Sequence, residues 1–535
     1  MSEPLPGYPS AWSPLRQPLF RALWIASVAS NIGTWMQNVG AAWLMTSLAP
    51  SPTLVALVQA ATSLPVFFVG LPAGAIADLL DRRRLLLVTQ AWMLVAAIAL
   101  GLLTFMGAMT PALLLALTFA LGLGAAMNAP AWQAIIPELV GASELKAAVT
   151  LNGVGYNVAR AVGPALGGIV VAAFGSAAVF ILNAVSFLGV MIVLYSWRRA
   201  PHESKMPAED VFGAMRAGAR YVRHSPVVQA VLIRTSAFIF GGSALWALLP
   251  LVARDELGLG ATGYGVILGC LGAGAVIGGV FLPRVERCLS TDALLASAIV
   301  LFAAATAGPA YTAHFALICA VMLVGGVAWI AVMSTFNVAA QVTVPGWVRA
   351  RALAVYGIVA QGGVAVGSAF WGVVAERLSL TTTLLCAAAA LAVSLAAALR
   401  YRLRLEDEID FSPSAHWPEP ILAQQPAPDA GPVLITVEYQ VDASRAQEFA
   451  EAMHGLRSQR LRDGAYRWGL YNDSAAPTRF IETFVVESWA EHLRQHSRVT
   501  VADKATEDIV RAFHVGANAP VISHFIYARA PVAKT

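Results

Sequence analysis

From residue 22 to residue 77 the chain carries no charged side chain, and the same is true of 85–137, 161–197, 257–283, 293–348 and 378–399. A helix that crosses a bilayer needs about 20 mainly apolar residues. The longest of these runs must therefore each hold two spans and a turn. Turn residues lie where such breaks are needed, at Ala49 to Pro52, Gly107 to Pro111 and Gly308-Pro309. This reading places twelve spans near 20–47, 54–77, 85–106, 112–135, 148–173, 177–196, 228–252, 262–283, 293–308, 313–337, 352–375 and 380–399.

The charges that do occur divide the chain in two. Residues 1–399 hold 33 Asp, Glu, Lys and Arg, and residues 400–535 hold the other 33, which separates a membrane part from a water-soluble part. Arg82 to Arg84, Lys146, Arg198, Arg199, Arg216, Arg220, Arg223, Arg284, Arg287, Arg349, Arg351 and Arg400 to Arg404 fall on one side of the expected spans, against Arg254 and Arg377 on the other. The positive-inside bias then makes both termini and the central loop cytoplasmic. Residues 1–18 are Pro-rich and polar, unlike a secretory signal. Cys270, Cys288, Cys319 and Cys386 lack metal or disulfide spacing and read as packing residues.

The membrane part repeats. At an offset of 208 residues Pro18 meets Pro226, Gly33 meets Gly241, Gly70 meets Gly278, Asp78 meets Glu286, Gln133 meets Gln341 and Pro137 meets Pro345. After a slip of four, Gly163 and Gly168 meet Gly367 and Gly372. Two six-span parallel repeats enclose a central cavity that can open to either side in turn, which is a transporter architecture.

Between the second and third spans stands Gly74-Ala-Ile-Ala-Asp78-Leu-Leu-Asp81-Arg82-Arg83-Arg84. By charge alone it could be a topology signal. It also resembles the cytoplasmic loop signature of the major facilitator superfamily, with Asp78 and Arg82 at the acidic and basic positions. That resemblance implies a gate latch built from Gly74, Asp78, Asp81 and Arg82 that stabilises the outward-open state. The second half keeps Gly278 and Glu286 but lacks the Arg run, so a latch at Glu286 is degraded. Further on come Pro130-Ala-Trp132-Gln133-Ala-Ile-Ile-Pro137-Glu138-Leu and Arg160-Ala-Val-Gly163-Pro164-Ala-Leu-Gly167-Gly168. Over about residues 15–400 the chain resembles the branch of that superfamily that contains the enterobactin exporter and related drug–proton antiporters. The Gly163-Pro164 to Gly167-Gly168 stretch matches the end of the antiporter signature, with Ala159 replacing its preceding Gly. The resemblance implies proton-coupled export, and these residues also suit helix bending and close packing.

Polar groups inside lipid are costly, so those facing a cavity are functional candidates. Asn31, Thr34 or Trp35, and Asn38 share a face of the first span, with Gln37 beside it; Gln59, Asn128, Gln133, Asn152, Asn157, Asn337, Gln341 and Gln361 add uncharged hydrogen-bonding groups. Trp35, Trp132, Trp246 and Trp329 offer apolar or stacking surface. The set suits an amphipathic, largely neutral substrate, although each member also serves as interhelical glue. Arg160 and Arg234 are the basic residues placed within spans; Arg160 reads as an anchor or as an anion or gate residue, and Arg234 is near enough to an end to snorkel. No carboxylate falls in the middle of any span, since Asp78, Glu138, Glu286 and Glu376 lie near ends. Proton coupling is thus carried by the resemblance.

Pro413, Pro418, Pro420, Pro426, Pro428 and Pro432 suggest an extended linker. Beyond it the pattern predicts strands at Val433 to Val441, Tyr466 to Tyr471, Arg479 to Glu487 and Val521 to Ala528, with helices over Ala443 to Leu461 and within 488–514. That order is ferredoxin-like. It resembles the dimeric domains of the antibiotic-biosynthesis monooxygenase kind, which implies dimerisation or regulation more than catalysis. His492 and His496, with Glu491 and His454, have a spacing that can bind metal but reads as a solvated face.

The expected organisation is an all-α membrane protein of the major facilitator fold, twelve helices in two six-helix repeats, with a C-terminal α+β ferredoxin-like domain. Its parts are a cytoplasmic segment 1–18, halves 19–196 and 227–400 joined by the connector 197–226, a linker 401–431 and the domain 432–535. The expected activity is export of a small hydrophobic or siderophore-like molecule across a bacterial inner membrane, not enzymatic catalysis. Lipid, the small-molecule substrate and protons are the expected partners, with dimerisation through 432–535 and no nucleic acid. No cofactor or metal is expected, and no nucleotide-binding loop points to ATP. The tail admits a second reading, a cofactor-free oxygenase or ligand sensor.

Overall fold

A computed structural model describes residues 12–49, 51–141, 143–197, 211–403, 410–414, 416–417, 422 and 424–528. The side chains of 71, 75, 78, 79, 211, 212, 214 and 215 lie outside that description, and with them the acidic latch group of Asp78. So do most of the expected N-terminal segment and parts of the connector and linker. The chain forms two compact units, one of Met1–Pro207, Leu232–Asn337 and Tyr356–Leu403, the other of Ala208–Val231, Val338–Val355 and Arg404–Thr535.

Helices α1 (Pro18–Leu48), α2 (Pro52–Leu79), α3 (Arg82–Phe105), α4 (Pro111–Leu139), α5 (Leu145–Phe174) and α6 (Ser176–Ser196) come first. After a short α7 (Val211–His224) follow α8 (Pro226–Leu251), α9 (Ala261–Val285), α10 (Thr291–Ala307), α11 (Phe315–Val342), α12 (Arg349–Arg377), α13 (Leu380–Ser394) and α14 (Ala396–Arg400). The starts are written locally. Proline stands at the first position of α1, α2, α4 and α8, where its missing N–H costs nothing. Side-chain oxygens of Ser51, Asp81, Thr110, Ser290 and Ser379 cap α2, α3, α4, α10 and α13. Gly175, at φ 78°, supplies the left-handed turn that is the whole connection from α5 to α6.

Eleven helical segments among the described residues, carried by α2 to α6, α8 to α12 and the consecutive α13 and α14 (Leu380–Arg400), are long and apolar enough to cross a membrane. The first of the twelve expected spans is present as a 31-residue helix, α1. It falls short of the same measure because Ser27, Ser30, Asn31, Thr34, Gln37 and Asn38 dilute its apolar surface. The repeat shows in packing as well as in spacing. Gly33 lets α1 approach α6, where a Cβ would stand 2.7 Å from Asn183 Oδ1; its counterpart Gly241 lets α8 approach α13, where a Cβ would stand 2.8 Å from Leu391 Cγ.

The connector holds a feature that the charge pattern alone does not reveal. α7 is a helix with Arg216, Arg220 and Arg223 on it, and it belongs to the second unit. In that unit β1 (Val433–Gln440), α15 (Ala446–Asp463), β2 (Arg467–Asn472), β3 (Arg479–Val486), α16 (Trp489–Arg498), α17 (Val501–Arg511) and β4 (Val521–Ile526) follow one another. The antiparallel sheet has the order β2-β3-β1-β4. Strict alternation on β1 sends Val433, Ile435, Val437 and Tyr439 into a core with Phe449, Met453 and Leu456 of α15.

Candidate functional site

The two six-helix groups are sewn together from one end to about mid-length. α5 and α9 meet so closely that a Cβ on Gly168 would lie 2.6 Å from the Ala261 carbonyl oxygen, and one on Gly272 would lie 2.6 Å from that of Arg160. On the other flank α2 meets α12, where a Cβ on Gly362 would lie 2.8 Å from the Phe67 ring. At the joined end Ser51 and Thr53 donate to the Glu376 carboxylate, and Arg254 donates to the Thr46 carbonyl. One apolar cluster there mixes Met45 and Val55 with Leu248, Val252 and Ala375. At the opposite end, the cluster around Phe20, Leu23, Leu85, Ile135 and Leu194 belongs to the first six helices alone.

Within the seam the expected glycines have distinct tasks. Gly163 and Gly167 face α1, with Trp35 Cβ and Met36 Cα at 2.6 and 2.8 Å from where a Cβ would stand. Gly168 faces α9, and the carbonyl of Pro164 approaches Gly265 on the same helix. Small residues on two sides of α5 thus allow it to pack against both halves at once.

The expected cavity residues separate into groups. Asn31 and Trp132 line a cavity of about 210 Å³ together with Ser27, Ser30, Gln90, Asn152, Tyr156 and Val190. Asn31 donates to Ser27 Oγ at 3.3 Å. Asn128 accepts from Thr89 at 3.0 Å and Gln90 at 3.4 Å, so it joins α3 to α4 and orients a lining residue. Asn157 donates to the Gly153 carbonyl of its own helix. Asn38, Gln59 and Gln361 are half-buried, whereas Gln133, Asn337 and Gln341 are exposed. The structure also supplies a pair that spacing could not reveal. Asn183 donates to Gln37 Oε1 at 2.6 Å, buried between α1 and α6.

Arg160 on α5 has its guanidinium carbon 6.0 Å from the Trp35 ring and 5.5 Å from that of Trp246. Its Nε is buried without a hydrogen-bond partner. Among the described residues no carboxylate pairs with it. Trp246 in turn packs edge-on against Trp329. Two helices, α1 and α8, therefore turn aromatic faces to one cation on α5. Arg234 is not a snorkelling residue: it is buried and ion-paired with Asp292 at the start of α10.

At the unjoined end, Arg82 donates to Glu138 at 2.9 Å and to the Ala134 carbonyl at 3.1 Å, tying α3 to the end of α4. Asp81 caps α3 by accepting from the Arg84 N–H at 2.8 Å. Arg83 donates to the carbonyls of Leu194 and Tyr195 that end α6. Among the described residues, Glu286 is exposed at the end of α9 with no ion pair, and a Cβ on Gly74 would meet nothing within 4 Å.

In the second unit the four residues weighed as metal ligands are not brought together. His492 and His496 have their Nε2 atoms 3.3 Å apart, but His454 lies against Trp468 and Glu491 is held by Arg498 and Arg220. Among the described residues no group of three or more ligating side chains could hold an ion. What does assemble is a cavity of about 820 Å³ between sheet and helices. Arg460 crosses its wall, donating to Glu482 at 3.0 Å and Glu507 at 2.6 Å. Burial would raise the Glu507 carboxyl, but Arg460 and the bond with His416 outweigh it and hold it at about 2.

A chain with these helices, two packed sixes and a central polar and aromatic seam defines a polytopic membrane transporter. It belongs to the family described as transmembrane secretion effectors, within the major facilitator superfamily, matching it over residues 9–531. It is 24% identical to the multidrug efflux pump Tap of Mycolicibacterium fortuitum, over 69% of this chain and 92% of that one. It is 26% identical to the enterobactin exporter EntS of Shigella boydii, over 49% of this chain and 62% of that one. Among solved structures, an inward-facing, occupied bacterial homologue of the lysosomal transporter Spinster aligns with TM-score 0.59 at 15% identity, covering 74% of this chain and 99% of that one. A point mutant of the nucleoside transporter NupG aligns with TM-score 0.60 at 12% identity, covering 72% and 100%. The protein is a transporter rather than an enzyme, and a multi-pass protein of the lipid bilayer.

Proposed function

We propose that the protein exports a small amphipathic or siderophore-like molecule by alternating access through twelve spans, α1 included, with the proton gradient as driving force. The observation that carries this is the seam, joined at one end and parted at the other around Arg160, Trp35 and Trp246. The basic loops support an orientation with the joined end toward the outside and both termini in the cytoplasm. On that reading the described conformation is inward-facing, with the Arg82 region as its released latch. Support for the cargo comes from relatives named as a multidrug efflux pump, a staphyloferrin A transporter and an enterobactin exporter. Proton coupling rests on the likeness to drug–proton antiporters. Reconstituted protein should drive uptake of a reporter dye into inside-out vesicles only when an inside-acid pH gradient is imposed. Equal uptake without the gradient, or with a sodium gradient alone, would refute the coupling.

The tail reads as a ferredoxin-like domain of the monooxygenase-like kind, a reading supported by its strand order and antiparallel pairing. The outer sheet face exposes Tyr466, Tyr471, Phe525 and Tyr527, which suits a second copy of the chain. The cavity favours ligand sensing as a second role for this domain.

A further inference from the structure

The tail cavity has an unusual balance of groups. Trp417, Trp489, Tyr439 and Phe484 present ring surfaces to it. Its volume, about 820 Å³, lies in the range of drug-sized sites. The charged groups on its wall cancel: Arg460 is shared by Glu482 and Glu507, and Arg511 stands 3.7 Å from Glu507. His492, His496 and His524 form a second wall, with ring centroids 4.8 Å apart for the first pair and 4.7 Å for His492 and His524. Burial holds His492 down to about 3 and His496 to about 4, so these rings are neutral near pH 7 and can each both donate and accept. His492 is 1% exposed, with Gln495 beside its ring and its Nε2 3.3 Å from that of His496.

The helix that carries this wall has a second face. On α16, Glu491 accepts from Arg498 at 2.6 Å and from Arg220 of α7 at 2.8 Å. The Arg498 guanidinium carbon sits 4.4 Å from the ring centroid of Trp347, in the turn before α12. That ring meets Tyr221 of α7 edge-on at 5.7 Å. One two-faced helix thus joins the cavity to the connector helix and to the loop between α11 and α12.

We infer that the tail cavity is a regulatory binding site for an uncharged, planar aromatic molecule with a hydroxyl or carbonyl edge, read out through α16 into α7 and the Trp347 turn. The regulatory half of this inference rests on the export reading; the binding half does not. Rings stack between the tryptophans, the polar edge meets the histidine wall, and neither charge sign is welcomed because the wall's charges are already paired. Occupancy shifts His492 and His496, and with them Glu491 and Arg498 on the same short helix.

The test is hydrogen–deuterium exchange of the full chain in nanodiscs, with no transport involved. 2-Naphthol should slow exchange in β1, α16 and β4 and alter it in α7. 2-Naphthoate should bind at least about tenfold more weakly, because its charge must be desolvated. Ile522→Trp, which fills the cavity from a partly exposed position on β4, should weaken the response about tenfold or more with unchanged melting temperature, and Ile435→Trp, from a buried position on β1, should weaken it as much while lowering the melting temperature. Arg220→Gln should keep the protection of β4 and lose the change in α7. Protection confined to the membrane helices, equal binding of naphthoate, or an undiminished response in both Trp variants would overturn the site. An α7 response that survives in Arg220→Gln would overturn the relay. Failure of the export reading would leave all four exchange results in place.

Discussion

The guanidinium of Arg160 and the indole of Trp246 face each other across the two halves, α5 to α8, with 5.5 Å between the guanidinium carbon and the ring centroid. Trp35 of α1 completes the enclosure at 6.0 Å. A cation held by ring faces instead of a carboxylate is, on the proposed alternating-access reading, the charge that meets cargo.

Loss of that group should therefore weaken cargo handling more than insertion. A desolvated cation–π pair is worth about 2 kcal/mol, or roughly thirtyfold in an equilibrium. We expect Arg160→Ala to raise the apparent KM for dye efflux at least about tenfold, and Arg160→Lys to fall between it and the native chain because charge survives without the planar face. Normal kinetics in both variants would show that Arg160 is only an anchor.

The α5–α9 seam makes a sharper mechanical prediction. Gly272→Val would drive a side chain into the Arg160 carbonyl at 2.6 Å, a backbone group that cannot rotate away. Efflux should drop to background while membrane content stays near normal. Gly74→Ala is the control, since among the described residues a Cβ there meets nothing within 4 Å. Equal loss in both would shift the role from seam packing to the loop signature.

At the parted end, Arg82 and Glu138 form a partly exposed pair at 2.9 Å. Such pairs contribute about 1 kcal/mol or less to stability, so a large effect must come from gating. Arg82→Glu and Glu138→Arg should each reduce efflux severalfold, and the double exchange should recover most of it. No recovery in the double variant would uncouple the pair from transport.

The tail should be acid-sensitive earlier than its carboxylates require. His492 is held below its usual range by burial and by His496 and His524. A histidine with a depressed folded value binds its proton in the unfolded chain first. Its stabilisation is full above about pH 6.5 and declines as the pH falls toward about 3, by up to about 1.4 kcal/mol per pH unit. Amide exchange of β1 and α16 should accelerate from pH 6.5 to 4.5 in the native chain and less in His492→Phe. Identical acid profiles would place the sensitivity elsewhere.

Much of this architecture is legible in the chain itself because its causes are local. A charge that faces hydrocarbon is costly wherever it stands, so uncharged runs and their Pro and Gly breaks locate the helices to within a few residues. Capping Ser, Thr and Asp residues mark the starts. Alternation on Val433 to Val441 marks β1, and the matched Gly33 and Gly241 announce the repeat. The polar residues are legible as a set but not by partner. Asn183 escapes notice because a single Asn in an apolar helix carries no sign of the Gln37 opposite it, 146 positions away. α7 stays hidden because its basic face has meaning only against Glu487 and Glu491.

What the sequence determined by itself is thus the membrane architecture, since desolvation cost and hydrogen-bond capping act over one helix length. The tertiary structure decided which groups meet. It set Arg160 between two tryptophans, paired Arg234 with Asp292, and gathered His492, His496 and His524 from α16 and β4 around one cavity. These are contacts between distant segments, fixed by how helices and strands pack rather than by any spacing along the chain.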